Sequence, residues 1–271
     1  MSQFNAISKG RHTGCSWRRF DGYSFARERT VVPLVANEMA KAALAFPIAF
    51  LAEGEGFVPA AVLSLDAARN LFVAPDGRWL SSYVPAVLRG YPFALLTSTK
   101  DNRVLCIDEA SGLLLENASG EPFFDEAGEV AEPTRKVLRF LTAMEAHRAA
   151  TAKTCVALTE ARVIVPWDIT LKTSKGAQKI SGLHKIDEAA LTALSAESIE
   201  TLRQAGAVPL AYCQILSMQH LPALGRLSDA HAAQRQEVET IMKQSFRPPE
   251  ANEIDIDWAS FADEGPEKGT T

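Results

Sequence analysis

Residues 70–109 constrain this chain most, because three apolar runs follow one another there across turns that leave little choice of geometry. Asn70-Leu71-Phe72-Val73-Ala74 enters Pro75-Asp76-Gly77, and Arg78-Trp79-Leu80 leaves it. Pro presets its own φ, Asp bonds the backbone two residues on, and Gly tolerates positive φ, so the tripeptide is a turn with a mechanism. Val, Leu, Ile and Phe in the flanking runs suit a sheet. The pattern predicts a hairpin, a short helix over residues 82–89, and two further strands, one in Tyr91-Pro92-Phe93-Ala94-Leu95-Leu96 and one in Arg103-Val104-Leu105-Cys106-Ile107-Asp108-Glu109.

Upstream, Val31-Val32-Pro33-Leu34-Val35 reads as an edge strand, since Pro cannot donate to a ladder. Asn37 is placed to cap a helix over residues 38–45. Two strands, over residues 46–51 and 58–65, flank Glu53-Gly54-Glu55-Gly56, which predicts a hairpin. With the central block this makes five or six close strands, mostly antiparallel because the connections are short. Residues 110–131 form a turn-rich excursion that Phe123 and Phe124 anchor to the core.

Glu132-Pro133 opens the longest helical stretch, with Pro in the first turn and an acidic residue at the positive end of the dipole. Val137, Leu141, Met144, Cys155 and Leu158 keep helical spacing to about residue 161. A second hairpin joins residues 162–171 to residues 178–183. Asp187 and Ser195 then cap helices over residues 188–194 and from 195 to about 206. Residues 207–227 alternate apolar and polar side chains and read as a strand turning into a short helix. The fold class is α+β: a mostly antiparallel sheet, one long helix and a helical C-terminal third. It forms a single domain over residues 20–227, between a mobile leader (1–19) that contributes little to the fold and a charged helix with an acidic tail (228–271).

A chain of 271 residues, 47% hydrophobic and 23% charged, can bury a sizeable core. Its net charge of −5 argues against a nucleic-acid partner, which would need clustered Lys and Arg to displace counterions. The basic cluster from Lys9 to Arg19 is too short and mixed to alter that. No run approaches the roughly 20 apolar residues of a membrane span. The first residues lack the basic-then-apolar layout of a secretory signal, so the expected location is the cytoplasm, with signal-less export as the other route. Cys15, Cys106, Cys155 and Cys213 are widely spaced and suggest neither a disulfide framework nor a zinc site. His147, His184 and His220 fall on different elements without ligand spacing, so no metal is expected. Gly-rich phosphate loops and the Gly-x-Ser-x-Gly elbow are absent, and no cofactor is expected.

Two places could carry function. Trp79, Tyr83, Tyr91 and Phe93 fall close together and interleave with Arg78 and Arg89, a mixture that suits a sugar, a peptide or a protein surface. Arg78, Trp79, Tyr83, Arg89 and Tyr91 are therefore the candidate ligand site, although core packing of the same rings is the commoner role. In the tail, Ile254, Ile256, Trp258 and Phe261 stand among Asp255, Asp257, Asp263 and Glu264 after a Pro-Pro break. Four large apolar residues in an acidic segment read as a docking segment anchored by Trp258. No catalytic residue is assigned. Asp108 and Glu109 end a strand where an acid–base pair could sit, with Asp168 and Asp187 comparably placed, yet such residues more often cap turns.

Gly77-Arg78-Trp79-Leu80, Tyr83-Val84-Pro85-Ala86, Arg89-Gly90-Tyr91-Pro92-Phe93-Ala94-Leu95 and Leu105-Cys106-Ile107-Asp108-Glu109 together resemble the SapC family of bacterial proteins. Val32-Pro33-Leu34-Val35, Phe46-Pro47-Ile48-Ala49-Phe50, Gly120-Glu121-Pro122-Phe123-Phe124-Asp125 and Gly182-Leu183-His184-Lys185-Ile186-Asp187-Glu188 fit the same pattern, so the resemblance spans residues 25–227. It implies a non-catalytic binding or scaffolding protein tied to the envelope, the surface layer or uptake at the cell surface. Its partner would be another protein or a small ligand. The rival expectation is an enzyme acting on a small molecule or peptide through the Asp108 and Glu109 carboxylates.

Overall fold

In the computed structural model, which describes residues 3–65, 69–97, 102–117, 119–173 and 176–245, the turn at Gly54 and Glu55 closes the central hairpin of the largest sheet. Gly54 sits at φ 59°, where a side chain would strain the backbone. Its strands, Ile48–Glu53 and Gly56–Val62, pair antiparallel with Glu53 opposite Gly56. Consecutive residues Ile48, Ala49 and Phe50 are all buried, as are Ala60, Ala61 and Val62. Burial without alternation marks strands covered on both faces.

Val31–Pro33 lies at one edge of this five-stranded sheet, with Pro33 opposite Ala60. On the other side Leu183–Ile186 pairs with the hairpin, and Ile164–Pro166 forms the far edge. Each edge strand ends on a proline, which removes a free donor where another chain could add on.

The sequence-based expectations need five corrections. Across the Pro75-Asp76-Gly77 turn the expected hairpin is reduced to one bridge, Val73 opposite Trp79. The second hairpin is split by Pro166: Ile169–Thr173 pairs with Gly176–Ile180, while Ile164–Pro166 pairs with Leu183–Ile186 in the main sheet. The strands do not form one group, because Phe93–Thr97 and Arg103–Asp108 build a separate sheet whose outer strand is Phe4–Ala6. Residues before Phe20 therefore contribute to the fold. Ser16–Trp17 is the middle strand between Leu114–Leu115 and Glu121–Pro122, and the buried Trp17 donates its indole N–H to Thr134 Oγ1 at 3.1 Å. Those partners lie about a hundred residues away in sequence, so no local periodicity announces them. Finally, Ala207–Ser217 is a helix, not a strand. Two of its polar residues, read as strand alternation, point into the protein: the fully buried Gln214 accepts from Ile186 N at 2.9 Å and donates to Ile48 O at 3.1 Å, and Ser217 Oγ accepts from Ile48 N at 2.9 Å.

The long helix, Glu132–Glu160, has 29 residues with Pro133 in its first turn. At about 1.5 Å per residue it is ~43 Å long. Its first half presents Val137, Phe140, Leu141 and Met144 to a small core of Trp17, Phe93, Ile107 and Phe123. Its second half places Cys155 and Leu158 in the main core with Phe46, Phe50 and Leu63. Between them the buried face is threonine: Thr151 Oγ1 accepts from Ala36 N at 2.7 Å, and Thr154 Oγ1 lies 3.1 Å from Ala205 O. Small polar residues there satisfy backbone groups of neighbouring segments that would otherwise be buried unpaired.

This unit covers Met1–Ser228. The second unit, Asp229–Thr271, is described up to Ser245 and is helical there. No described helix is long and apolar enough to cross a membrane.

Candidate functional site

Glu38 organises the site from beneath. The expected cap, Asn37, makes no capping bond; instead Glu38, only 5% exposed, reaches back so that Oε1 accepts from Val35 N at 3.0 Å. Its Oε2 accepts from Tyr83 O–H at 2.6 Å and from Ala86 N at 2.8 Å. Three donors satisfy the buried carboxylate and fix the segment that carries the candidate residues. Burial, and then the bond to Glu38, push the Tyr83 phenol well above its ordinary pKa, so it stays a protonated donor.

The short helix Ala86–Arg89 follows from this anchor and is shorter than the sequence suggests, because the residue before Pro85 is disfavoured from helical backbone. It ends at Gly90, whose absent Cβ leaves room for Leu141: a β-carbon there would stand 2.8 Å from Leu141 Cδ2. That close approach aims Arg89 outward between two rings, with its Cζ 5.9 Å from the Tyr83 centroid and 5.6 Å from the Phe140 centroid. Both distances permit cation–π attraction.

Arg89 and Phe140 form the wall between two clefts. The first, of about 290 Å³, is lined by Trp17, Arg19, Phe20, Arg89, Tyr91, Phe93, Lys136 and Phe140 among others. Three of its residues are cations and none is a carboxylate. The second, of about 270 Å³, includes Glu38, Lys41, Tyr83, Arg89, Met144 and His147. Tyr83, Arg89 and Tyr91 are thus brought together at the surface. Trp79 lies behind them, half-buried, donating its indole N–H to Tyr83 O at 2.7 Å and packing near the rings of Tyr23, Phe46 and Phe72. Arg78 lines neither cleft; it is exposed on the Pro75-Asp76-Gly77 turn and pairs with Asp76 at 2.7 Å.

Sequence reasoning left the other half of the first cleft unassigned. Phe20, Tyr23 and Phe25 approach from the N-terminal side, and Phe25 stacks on Tyr91 with centroids 3.9 Å apart. The Gly77 turn holds that segment, since Tyr23 N donates to Gly77 O at 2.7 Å. Arg19 and Lys136 complete the cationic rim. The only local hint was the alternation of aromatic and basic residues in Trp17-Arg18-Arg19-Phe20.

The carboxylates proposed as an acid–base pair are engaged in structural bonds. Asp108, 3% exposed, accepts from Gln3 N at 2.8 Å and Ala110 N at 3.2 Å. Glu109 takes both Arg11 donors at 2.6 Å and Asn5 Nδ2 at 2.9 Å. Asp168 pairs with Lys179 at 2.9 Å, and Asp187 caps its helix through Ala190 N at 3.1 Å. His147 lines the second cleft, His184 packs against Phe57, and His220 Nε2 lies 3.0 Å from Ala43 O, three separate places. Ile254, Ile256, Trp258 and Phe261 lie outside the described residues.

The Glu109 cluster has a consequence in acid. His12 is buried, with Nε2 3.5 Å from Glu109 Oε1, and burial holds its imidazole below the ordinary value of 6.5. Arg11 holds the Glu109 carboxyl below 4.5. Both groups bind protons more readily in the unfolded chain, so their stabilisation is complete above the unfolded values and is lost as pH falls through the folded ones. The His12 contribution begins to fade below about pH 6.5, before that of Glu109. The protection factors of Asn5, whose strand pairs with residues 106–108, and of Ile7, which donates to Leu105 O, are expected to fall between about pH 6.5 and 5 once the slower intrinsic exchange in acid is divided out. Protection that stays flat until carboxylates titrate would show that His12 does not hold this strand.

The family model described as SapC matches residues 7–224 of the chain. No curated protein and no solved structure matches it.

Proposed function

This chain belongs to the SapC family, and on that premise we propose that it is a non-catalytic binding or scaffolding protein of the bacterial cell envelope, gripping its partner at the clefts that meet at Arg89. The observation that carries the reading is the make-up of the first cleft. Its aromatic and aliphatic floor is rimmed by cations, and none of its lining residues is a carboxylate, histidine, serine or cysteine. Such a surface supplies apolar contact and charge recognition, the ingredients of an interaction hot spot. The enzyme alternative draws no support from Asp108 and Glu109, which are tied to Gln3 and Arg11.

Arg89 is exposed, so Arg89→Ala should leave the melting temperature within a degree or two. The same change should reduce capture of the native partner from lysate several-fold, since Arg is prominent among hot-spot residues. Undiminished capture would move the binding face away from this cleft. We further propose that the protein works on the cytoplasmic side of the envelope. Its four cysteines are free, as suits a reducing compartment. Fractionation finding it outside an intact envelope would reverse that placement.

A further inference from the structure

We propose that the first cleft binds an acidic peptide segment carrying a tryptophan anchor. The inference rests on the binding reading above and names the chemistry of the partner. Arg19, Arg89 and Lys136 surround the cleft, and none of them has a carboxylate within ion-pair distance among the described residues. In a chain of net charge −5, a rim of three cations that make no salt bridge among the described residues, with no acid in the lining, is a local reversal of sign. It attracts anions, and the matching potential on a partner sets orientation and excludes basic competitors.

Charge alone would suit any anion, but Trp17, Tyr91 and Phe140 beneath it call for a flat apolar group. The volume of about 290 Å³ lies at the lower limit of small-molecule sites, roughly 300–1,000 Å³. That is room for one aromatic side chain, with neighbouring carboxylates left at the rim. An extended acidic peptide meets both demands: a ring seats on the floor while neighbouring side chains face the rim. The chain itself spells this chemistry at Ile254-Asp255-Ile256-Asp257-Trp258, followed by Phe261, Asp263 and Glu264.

The probe is therefore a fluorescent peptide of residues 250–264, titrated into the full-length protein carrying Trp258→Ala so that its own copy of the segment does not compete. Saturable binding is expected. It should weaken about tenfold or more when Arg89→Glu and Lys136→Glu are combined, because attraction becomes repulsion at two rim positions. It should fade as salt rises from about 0.05 M to about 0.5 M, and a peptide with Trp258→Ala should not bind. Both rim residues are exposed, and an unchanged melting temperature verifies that the double variant is folded. Arg89→Gln with Lys136→Gln, which only removes charge, should give an intermediate loss. Absence of saturable binding, or binding indifferent to charge reversal, overturns the proposal. If lysate capture still depends on Arg89 while the peptide fails, only the acidic-peptide inference falls. If neither depends on Arg89, the binding reading falls with it.

Discussion

Replacing Glu38 by alanine is expected to destabilise the main unit by roughly 3–5 kcal/mol. The side chain is buried and accepts from Val35 N, Ala86 N and the Tyr83 hydroxyl. Truncation strands three donors, each costing about 1–3 kcal/mol when left unpaired, with entering water reducing the sum. At about 2–4 °C per kcal/mol for a domain of this size, the melting temperature should drop by about 10 °C. Tyr83→Phe removes one donor and leaves the others bonded, so it should cost only about 1 kcal/mol. Because the two groups share a bond, the double variant should be less destabilised than the sum of the singles. A Glu38→Ala protein that melts like wild type would show that this carboxylate does not hold the Tyr83–Arg89 segment in place.

Trp79→Ala should cost about 3 kcal/mol, the lower end of the range for buried aromatics, because Trp79 is half-buried. The loss combines the Phe72, Phe46 and Tyr23 ring contacts with the bond to Tyr83 O. A denaturant melt distinguishes the two roles open to this residue. A shifted midpoint with partner capture retained by the remaining folded protein identifies a core residue. An unchanged midpoint with lost capture identifies a platform for the ligand.

What could be read from the sequence is what neighbouring residues decide among themselves. Pro75-Asp76-Gly77 makes its turn with Gly77 at φ 89° and Asp76 Oδ1 accepting from Arg78 N, both consequences of three adjacent residues. Gly54, the capping residues Asp187 and Ser195, and Pro133 at the head of the long helix belong to the same class. The α+β class follows from such local signals.

What stayed hidden depends on residues far apart in the chain. Trp17 is a core residue because Thr134 and Phe93 surround it, and nothing near position 17 foretells either. Gln214 looks like the polar half of a strand until the backbone of Ile48 and Ile186 is placed beside it. The candidate site divides the same way. Arg89 and Tyr91 were visible as neighbours in sequence, whereas Arg19, Phe20, Lys136 and Phe140 reach the first cleft from two other segments. Trp79 and Arg78, adjacent to one another, separate because a residue in an isolated bridge and a turn residue face different surroundings.

The long helix belongs to both cores and also walls both clefts through Phe140. Unravelling of the helix removes a wall from each core, so the two should behave as one cooperative unit. An occupant of either cleft, by favouring the intact helix, raises the free energy of opening everywhere the helix reaches. Binding at the Arg89 surface would then be felt as slower exchange at Cys155 and Leu158, at the opposite end of a rod roughly 40 Å long.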